Sequence, residues 1–201
     1  MMSPGQTNLP IPDEAVEIQD ILEALSSRLV QAGASVVKIV EAADIVVDER
    51  VRLKCQIPLC DSYGKNLMCP PLVVPSLEAF RQALTRYAKA LLIQITAPLP
   101  ETLDKTDVYA PARQLHDLVN LAEKWAFAYQ RRFAFGLIGG CCRLCDVCVA
   151  VTQDSFCRHP FRARPSMEAM GIDVVATVAR AGLGTHFPIS DKVTWTGVLL
   201  L

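Results

Sequence analysis

Apolar residues recur every three or four positions in three stretches of the chain, which predicts three amphipathic helices. These stretches are residues 13–33, 77–87 and 112–132. The second follows Ser76 and has Glu78 in its first turn, a combination typical of a capped helix N-terminus. A shorter helical stretch begins at Ser166, is interrupted near Gly171 and continues to Ala181.

Short apolar runs between these helices predict four strands. They are residues 35–40, 90–97, 133–138 and 193–201. Because helices alternate with strands, we expect an α/β fold, as a two-layer or three-layer sandwich with a mixed sheet of about four to five strands. The cysteine-rich segments fall between the predicted elements, so they are expected to form loops at the strand ends.

Composition is compatible with one folded unit. The chain has 201 residues, of which 51% are hydrophobic, and its mean hydropathy is +0.27, which is ample for a continuous core. We expect a flexible N-terminal tail over residues 1–12 and a single cysteine-rich metal-binding domain over 13–201. The formal net charge of −1 gives no general attraction to nucleic acid or to anionic membranes, so neither is an expected partner.

The N-terminus has no basic segment followed by an apolar run, and no apolar run approaches the roughly 18 residues of a membrane span. A cytoplasmic location is therefore predicted. The cytoplasm is reducing, so the eight cysteines are expected to bind metal or to take part in redox chemistry instead of forming disulfides.

Four cysteines follow one another in the pattern C-x2-C-x2-C-x8-C, and they are Cys142, Cys145, Cys148 and Cys157. Three thiols spaced by two residues on a tight loop can bind three corners of a four-iron cluster, and a fourth thiol can complete the ligand set. A structural zinc site is the alternative, because four thiolates also suit Zn²⁺. Structural zinc usually uses two separate C-x2-C hairpins, so the overlapping pattern favours a 4Fe–4S cluster.

A second metal centre is predicted from three further cysteines, Cys55, Cys60 and Cys69. Its fourth ligand stays open between Cys141, a histidine, an exogenous molecule and a bridge to the other centre. Adjacent residues rarely reach the same small cluster, so Cys141 should serve this centre if it binds metal at all. Its other interpretation is a small buried thiol. An iron atom without a fourth thiol would be open to substrate.

Arg158, His159 and Arg162 bring positive charge next to the last cysteine of the longer pattern. They are candidates for binding a cofactor, because guanidinium groups match phosphates and carboxylates. They could equally stabilise the negative charge of a cluster held by thiolates. A solvated basic turn is the third interpretation.

Several motifs carry a resemblance to a known family. They are CQIPLC, YGKN and CPP within 55–71, CRLCDVC at 142–148, CRHP at 157–160 and RPSMEAMGIDV at 164–174. Together they resemble the prokaryotic family of predicted metal-binding proteins, over roughly residues 35–201. The resemblance implies metal binding through these cysteines. It favours iron–sulfur over zinc, because the members look like proteins of anaerobes, and Cys141 departs from the cysteine pattern expected of the family.

These patterns favour an iron–sulfur protein that transfers electrons within a larger redox system, in anaerobic metabolism. One alternative is a redox enzyme that binds a substrate or cofactor at an open iron of the Cys55 centre. The other is a zinc-stabilised interaction module. A redox partner protein is expected in the first case, and the sequence leaves enzymatic activity and assembly into a homo-oligomer open.

Overall fold

The computed structural model describes residues 17–99, 108–152, 156–184 and 191–201. The predicted tail, residues 1–12, lies outside this part. No helix of the described residues is long and apolar enough to cross a membrane. The helices are α1 Ile18–Gln31, α2 Arg50–Gln56, α3 Leu77–Leu84, α4 Ala110–Ala128, α5 Val149–Thr152 and α6 Val174–Arg180. The strands are β1 Val36–Glu41, β2 Lys89–Pro98, β3 Phe135–Leu137 and β4 Lys192–Leu200. Two 3₁₀ turns span Ala42–Asp44 and Glu168–Met170.

The four strands form one sheet in the order β1-β2-β4-β3, which confirms the α/β class. All three strand pairings are antiparallel. The expected mixed character is limited to one isolated parallel bridge between Ile138 and Ser166. A strand covered on both faces has a continuous apolar sequence whether its neighbours are parallel or antiparallel, so the run in β2 could not distinguish the two arrangements.

Successive side chains of β2 enter two different hydrophobic cores. Leu91 and Ile93 pack with α1 and α4 on one face of the sheet. Ala90 and Leu92 pack on the other face, together with Phe80 of α3 and Met170 of the second 3₁₀ turn. The sheet is therefore the middle of three layers, and the period of two along β2 assigns its residues to the outer layers.

The two helices on the second face of the sheet, α3 and α6, each begin at a residue whose side chain caps the helix. The Ser76 hydroxyl accepts a hydrogen bond from the Ala79 N–H at 3.1 Å, which confirms the predicted cap of α3. Asp173 caps α6 in the same way, by accepting from the Ala176 N–H at 2.9 Å. Between the second 3₁₀ turn and α6, Gly171 has a φ of +75°, and a Cβ there would lie 2.7 Å from a Leu77 methyl group.

The chain passes close against β4 as it leaves β3. A Cβ on Gly139 would lie 2.7 Å from the Thr196 carbonyl oxygen, and one on Gly140 would lie 2.8 Å from the Trp195 ring. Gly140 also has a φ of +74°, a backbone conformation that residues other than glycine rarely adopt. Because the chain passes so close to β4, Cys141 and the residues after it begin beside this strand.

Candidate metal centre

Four thiols from separate parts of the chain line one cavity of about 350 Å³. We call them the first thiol group, and they are Cys55, Cys60, Cys69 and Cys141. Cys69 is buried, Cys60 is exposed, and the other two are half-buried. The structure thus brings together the three cysteines that the sequence assigned to one centre, and it adds Cys141 to them.

Local backbone structure positions the first thiol group. Cys55 is in the last turn of α2, a helix without a buried residue. The Arg52 side chain holds this helix against the second 3₁₀ turn by donating to the Ala169 carbonyl at 2.8 Å. The Cys60 N–H donates to the Cys55 carbonyl at 3.1 Å, and the Cys69 N–H donates to the Asn66 carbonyl at 3.0 Å. These hydrogen bonds fold the segment after α2 back towards it.

The other four thiols line a much smaller cavity, of about 20 Å³. We call them the second thiol group, and they are Cys142, Cys145, Cys148 and Cys157. All four are half-buried. Cys148 directly precedes α5, and its carbonyl accepts a hydrogen bond from the Val151 N–H at 2.9 Å. The His159 N–H lies 3.3 Å from the sulfur of Cys157 and donates to it.

Asn66 connects the loop of the first thiol group to the second group. Its side-chain amide nitrogen donates to the Cys142 carbonyl at 2.8 Å, and its amide oxygen accepts from the Met68 N–H at 3.0 Å. The residue is only 8% exposed, so both hydrogen bonds are shielded from water. The side chain of Asn66 therefore joins two loops.

Burial shifts the pKa values of the thiols upward. It raises the pKa of Cys142 to about 11, and the neighbouring thiol Cys157 adds to the shift. The pKa of Cys69 is raised further, mainly by burial and then by the nearby thiol Cys141. The pKa of Cys55 is raised by burial and by Cys60. A metal that binds to these thiols must therefore displace their protons.

The first cavity is also lined by polar residues that the sequence did not single out as functional. The Arg143 guanidinium lies 3.3 Å from the centre of the Tyr109 ring, stacked on its face. Glu168, from the second 3₁₀ turn, lines the same cavity, and burial raises the pKa of its carboxyl group. The motif CRLC predicts that its two cysteines bind metal, but nothing in the motif predicts a role for Arg143 between them.

Arg158 and His159 line the second cavity. Arg158 donates to the Val147 carbonyl at 3.0 Å. Arg162 lies outside both cavities and pairs with Asp117 of α4 at 2.8 Å, where both side chains are exposed. The role of these three residues in binding a cofactor stays a prediction.

Each donor set consists of four sulfur atoms, which is the ligand set of both 4Fe–4S clusters and structural zinc. Within the described part of the chain, no group of three or more His, Cys, Asp or Glu side chains is placed to hold a metal ion as it stands. The two thiol groups are therefore defined by the cavities that they line. Four sulfur donors at each cavity match the chemistry of a metal centre.

Comparison with known proteins supports a metal-binding role. A search of curated proteins found no match, and a search of solved structures found none either. A family model described as predicted metal-binding protein (DUF2284) matches residues 38–201, a range that contains all eight cysteines. The chain therefore belongs to this family of predicted metal-binding proteins.

Proposed function

We propose that this protein is an iron–sulfur protein with two four-iron clusters, one at each thiol group, and that it transfers electrons within a larger redox system. The observation that carries the proposal is that four of the eight cysteines line one cavity and the other four line another. Cys141 and three thiols of the second group also border a third cavity. Four thiolates are the full ligand set of one such cluster. Cys141 completes the first set, where the sequence alone left the fourth ligand open.

The residues around the second thiol group support electron transfer. Iron–sulfur clusters accept and release single electrons, and hydrogen bonds to their cysteine sulfurs tune the potential. The His159 N–H already donates to the sulfur of Cys157. Arg158 adds a positive charge at the same cavity. Both features stabilise negative charge on the thiolates.

The size of the second cavity sets a requirement on cluster binding. Its volume of about 20 Å³ has room for about one water-sized atom. A four-iron cluster therefore needs one or more of the four cysteine side chains to change rotamer. A single zinc ion would need less movement, which is the observation that favours the zinc-stabilised interaction module as a competing function.

The size of the first cavity favours a second candidate function, a redox enzyme. The volume of about 350 Å³ is within the range of small-molecule sites. Its exposed thiol, Cys60, shows that the cavity reaches the surface. A substrate could therefore approach the first centre.

Reductive titration of anaerobically purified protein tests the proposal. We expect a brown protein whose visible absorbance bleaches as about two electrons are taken up per chain, one for each cluster. Electron paramagnetic resonance of the reduced protein should show the corresponding signals. A colourless protein with stoichiometric zinc would contradict the proposal and favour the interaction module.

The remaining parts of the proposal concern location and partners. We place the protein in the cytoplasm, because free thiols and oxygen-sensitive clusters require a reducing compartment. Electron transfer also requires a redox partner protein. Co-purification under anaerobic conditions, with a Cys148→Ser variant as control, would identify a partner that depends on the second centre.

A further inference from the structure

Two buried polar atoms at the first cavity have no hydrogen-bond partner among the described residues. They are Nε of Arg143 and Oε2 of Glu168, and both residues line the cavity. Buried polar groups of folded proteins are nearly always hydrogen-bonded, so unpaired ones in a cavity mark a place where a ligand can bind. Both residues line the same cavity, so one unpaired donor and one unpaired carboxyl oxygen lie in its wall.

The surrounding contacts hold both side chains in place. Stacking on Tyr109 fixes the plane of the Arg143 guanidinium, and its N–H bonds lie at the edges of that plane. The Glu168 carboxyl group lies within reach of three donors, its own backbone N–H, the Ser166 hydroxyl and the Gly140 N–H. Both side chains are therefore positioned before a ligand arrives, which lowers the entropy cost of binding.

The charges at the cavity indicate the chemistry of the ligand. Lys54 and Arg143 supply two cationic side chains, and Asp61 and Glu168 supply two carboxyl groups. A planar guanidinium matches a carboxylate through two parallel hydrogen bonds. A carboxyl group, in turn, forms hydrogen bonds with a hydroxyl, oxo or amino group. A ligand that satisfies both sides carries a carboxylate and a second polar group.

We propose that the first cavity binds a small organic acid, with its carboxylate on Arg143 and a hydroxyl, oxo or amino group on Glu168. The volume of about 350 Å³ is near the lower end of small-molecule sites, which limits the ligand to a few carbon atoms beside a metal centre. The inference rests on the proposed function in one respect, because it places the ligand next to the first cluster. Binding of the acid itself is a separate measurement.

Calorimetric titration with four three-carbon acids tests the inference on the full chain purified anaerobically. Lactate, pyruvate and alanine each carry a second polar group beside the carboxylate, and propionate lacks one. We expect at least one of the first three to bind about tenfold or more tightly than propionate, because only a second polar group can pair with Glu168. Equal affinity for all four acids, or binding of none, would overturn the inference.

Matched variants locate the site. Arg143→Lys should weaken binding about tenfold or more, since lysine cannot form the two parallel hydrogen bonds. Arg132→Lys is the control, because Arg132 also stacks on an aromatic ring, Phe133, at 5.0 Å, but lines neither thiol cavity. Glu168→Gln should reduce the preference over propionate, whereas Glu78→Gln, on the exposed surface of α3, should not. Unchanged binding in Arg143→Lys would contradict the inference.

Iron and sulfide are counted in every sample, which separates the two proposals. Normal iron content without acid binding refutes the ligand and leaves the clusters in place. Acid binding by a protein without iron supports the ligand site and refutes the clusters. Loss of iron in Arg143→Lys, together with loss of binding, would mean that the arginine supports the metal centre instead of the ligand.

Discussion

The two thiol groups contain the same four donor atoms but differ in the space around them. The second group comes from one segment, residues 142–157, and lines a cavity of about 20 Å³. The first group comes from widely separated segments and lines a cavity of about 350 Å³ that also contains Arg143 and Glu168. The cavity shared by all four thiols is thus tight in the second group and wide in the first, and a wide cavity with ionisable neighbours suits a group that also meets a ligand. Cys142, Cys145 and Cys148 also border a separate cavity of about 480 Å³, together with Cys141.

The two regions are joined by a single peptide bond. Cys141 lines the first cavity and Cys142 lines the second, and consecutive Cα atoms are about 3.8 Å apart. The same short segment begins at Gly140, whose positive φ and contact with Trp195 fix its course. Changes to the backbone of this segment should therefore affect both regions, whereas the loss of a single donor atom should affect only the region that it serves.

The largest effect is expected from Cys148→Ser, which removes one donor of the second group. We expect the loss of about four iron atoms per chain, because serine is a poor ligand for an iron–sulfur cluster. Iron and sulfide analysis measures the loss, and acid binding at the first cavity should persist. An unchanged iron content would contradict the assignment of Cys148 to a cluster.

Cys141→Ser tests whether the first group is complete only with this residue. If Cys141 is the fourth donor, the variant should lose between about one and four iron atoms while the second cluster stays intact. If Cys141 is only a small buried thiol, the iron content and the spectra should match the wild type. The second result would return the first centre to three thiols and an open iron.

Gly140→Ala should destabilise the link between the two regions. The added Cβ would lie 2.8 Å from the Trp195 ring, and alanine is strained at positive φ, so we expect a loss of about 1–3 kcal/mol in the free energy of unfolding. Chemical denaturation of the metal-free protein measures it. Gly184→Ala is the control, since a Cβ there meets nothing within 4 Å. Equal stability of both variants would argue against this close passage.

A smaller effect is expected from Asn66→Ala, which leaves the Cys142 carbonyl without its side-chain donor. Loss of this shielded hydrogen bond should cost about 1–2 kcal/mol of unfolding free energy and increase the rate of cluster loss to a chelator. Asn120→Ala is the matched control, because Asn120 also donates to backbone carbonyls, those of His116 and Arg162. Equal rates of cluster loss would show that Asn66 does not support the second group.

Much of the fold could be predicted from the sequence, because its helices and strands have regular apolar periods. The cap at Ser76 and the buried run of β2 are examples. The helix α2 could not be predicted in this way, because it has no buried residue and so no apolar face. The antiparallel pairing could not be predicted either. A strand buried on both faces lacks the alternation of apolar and polar residues that is typical of antiparallel sheets with one solvated face.

The sequence predicts the cysteines of the candidate site, but it does not predict the other residues that line the two cavities. The spacing of Cys142, Cys145 and Cys148 indicates a metal centre directly. The residues that line the first cavity are far apart in the sequence. Glu168 belongs to the second 3₁₀ turn, which contacts α2 through the hydrogen bond from Arg52 to the Ala169 carbonyl. Such contacts depend on tertiary packing, which no local pattern records.

If the eight thiols form two complete ligand sets, protein purified without oxygen contains about eight iron atoms and about eight acid-labile sulfide atoms per chain. Chemical analysis of iron and sulfide in that protein measures both numbers. About four of each, or zinc in place of iron, would contradict two complete sets.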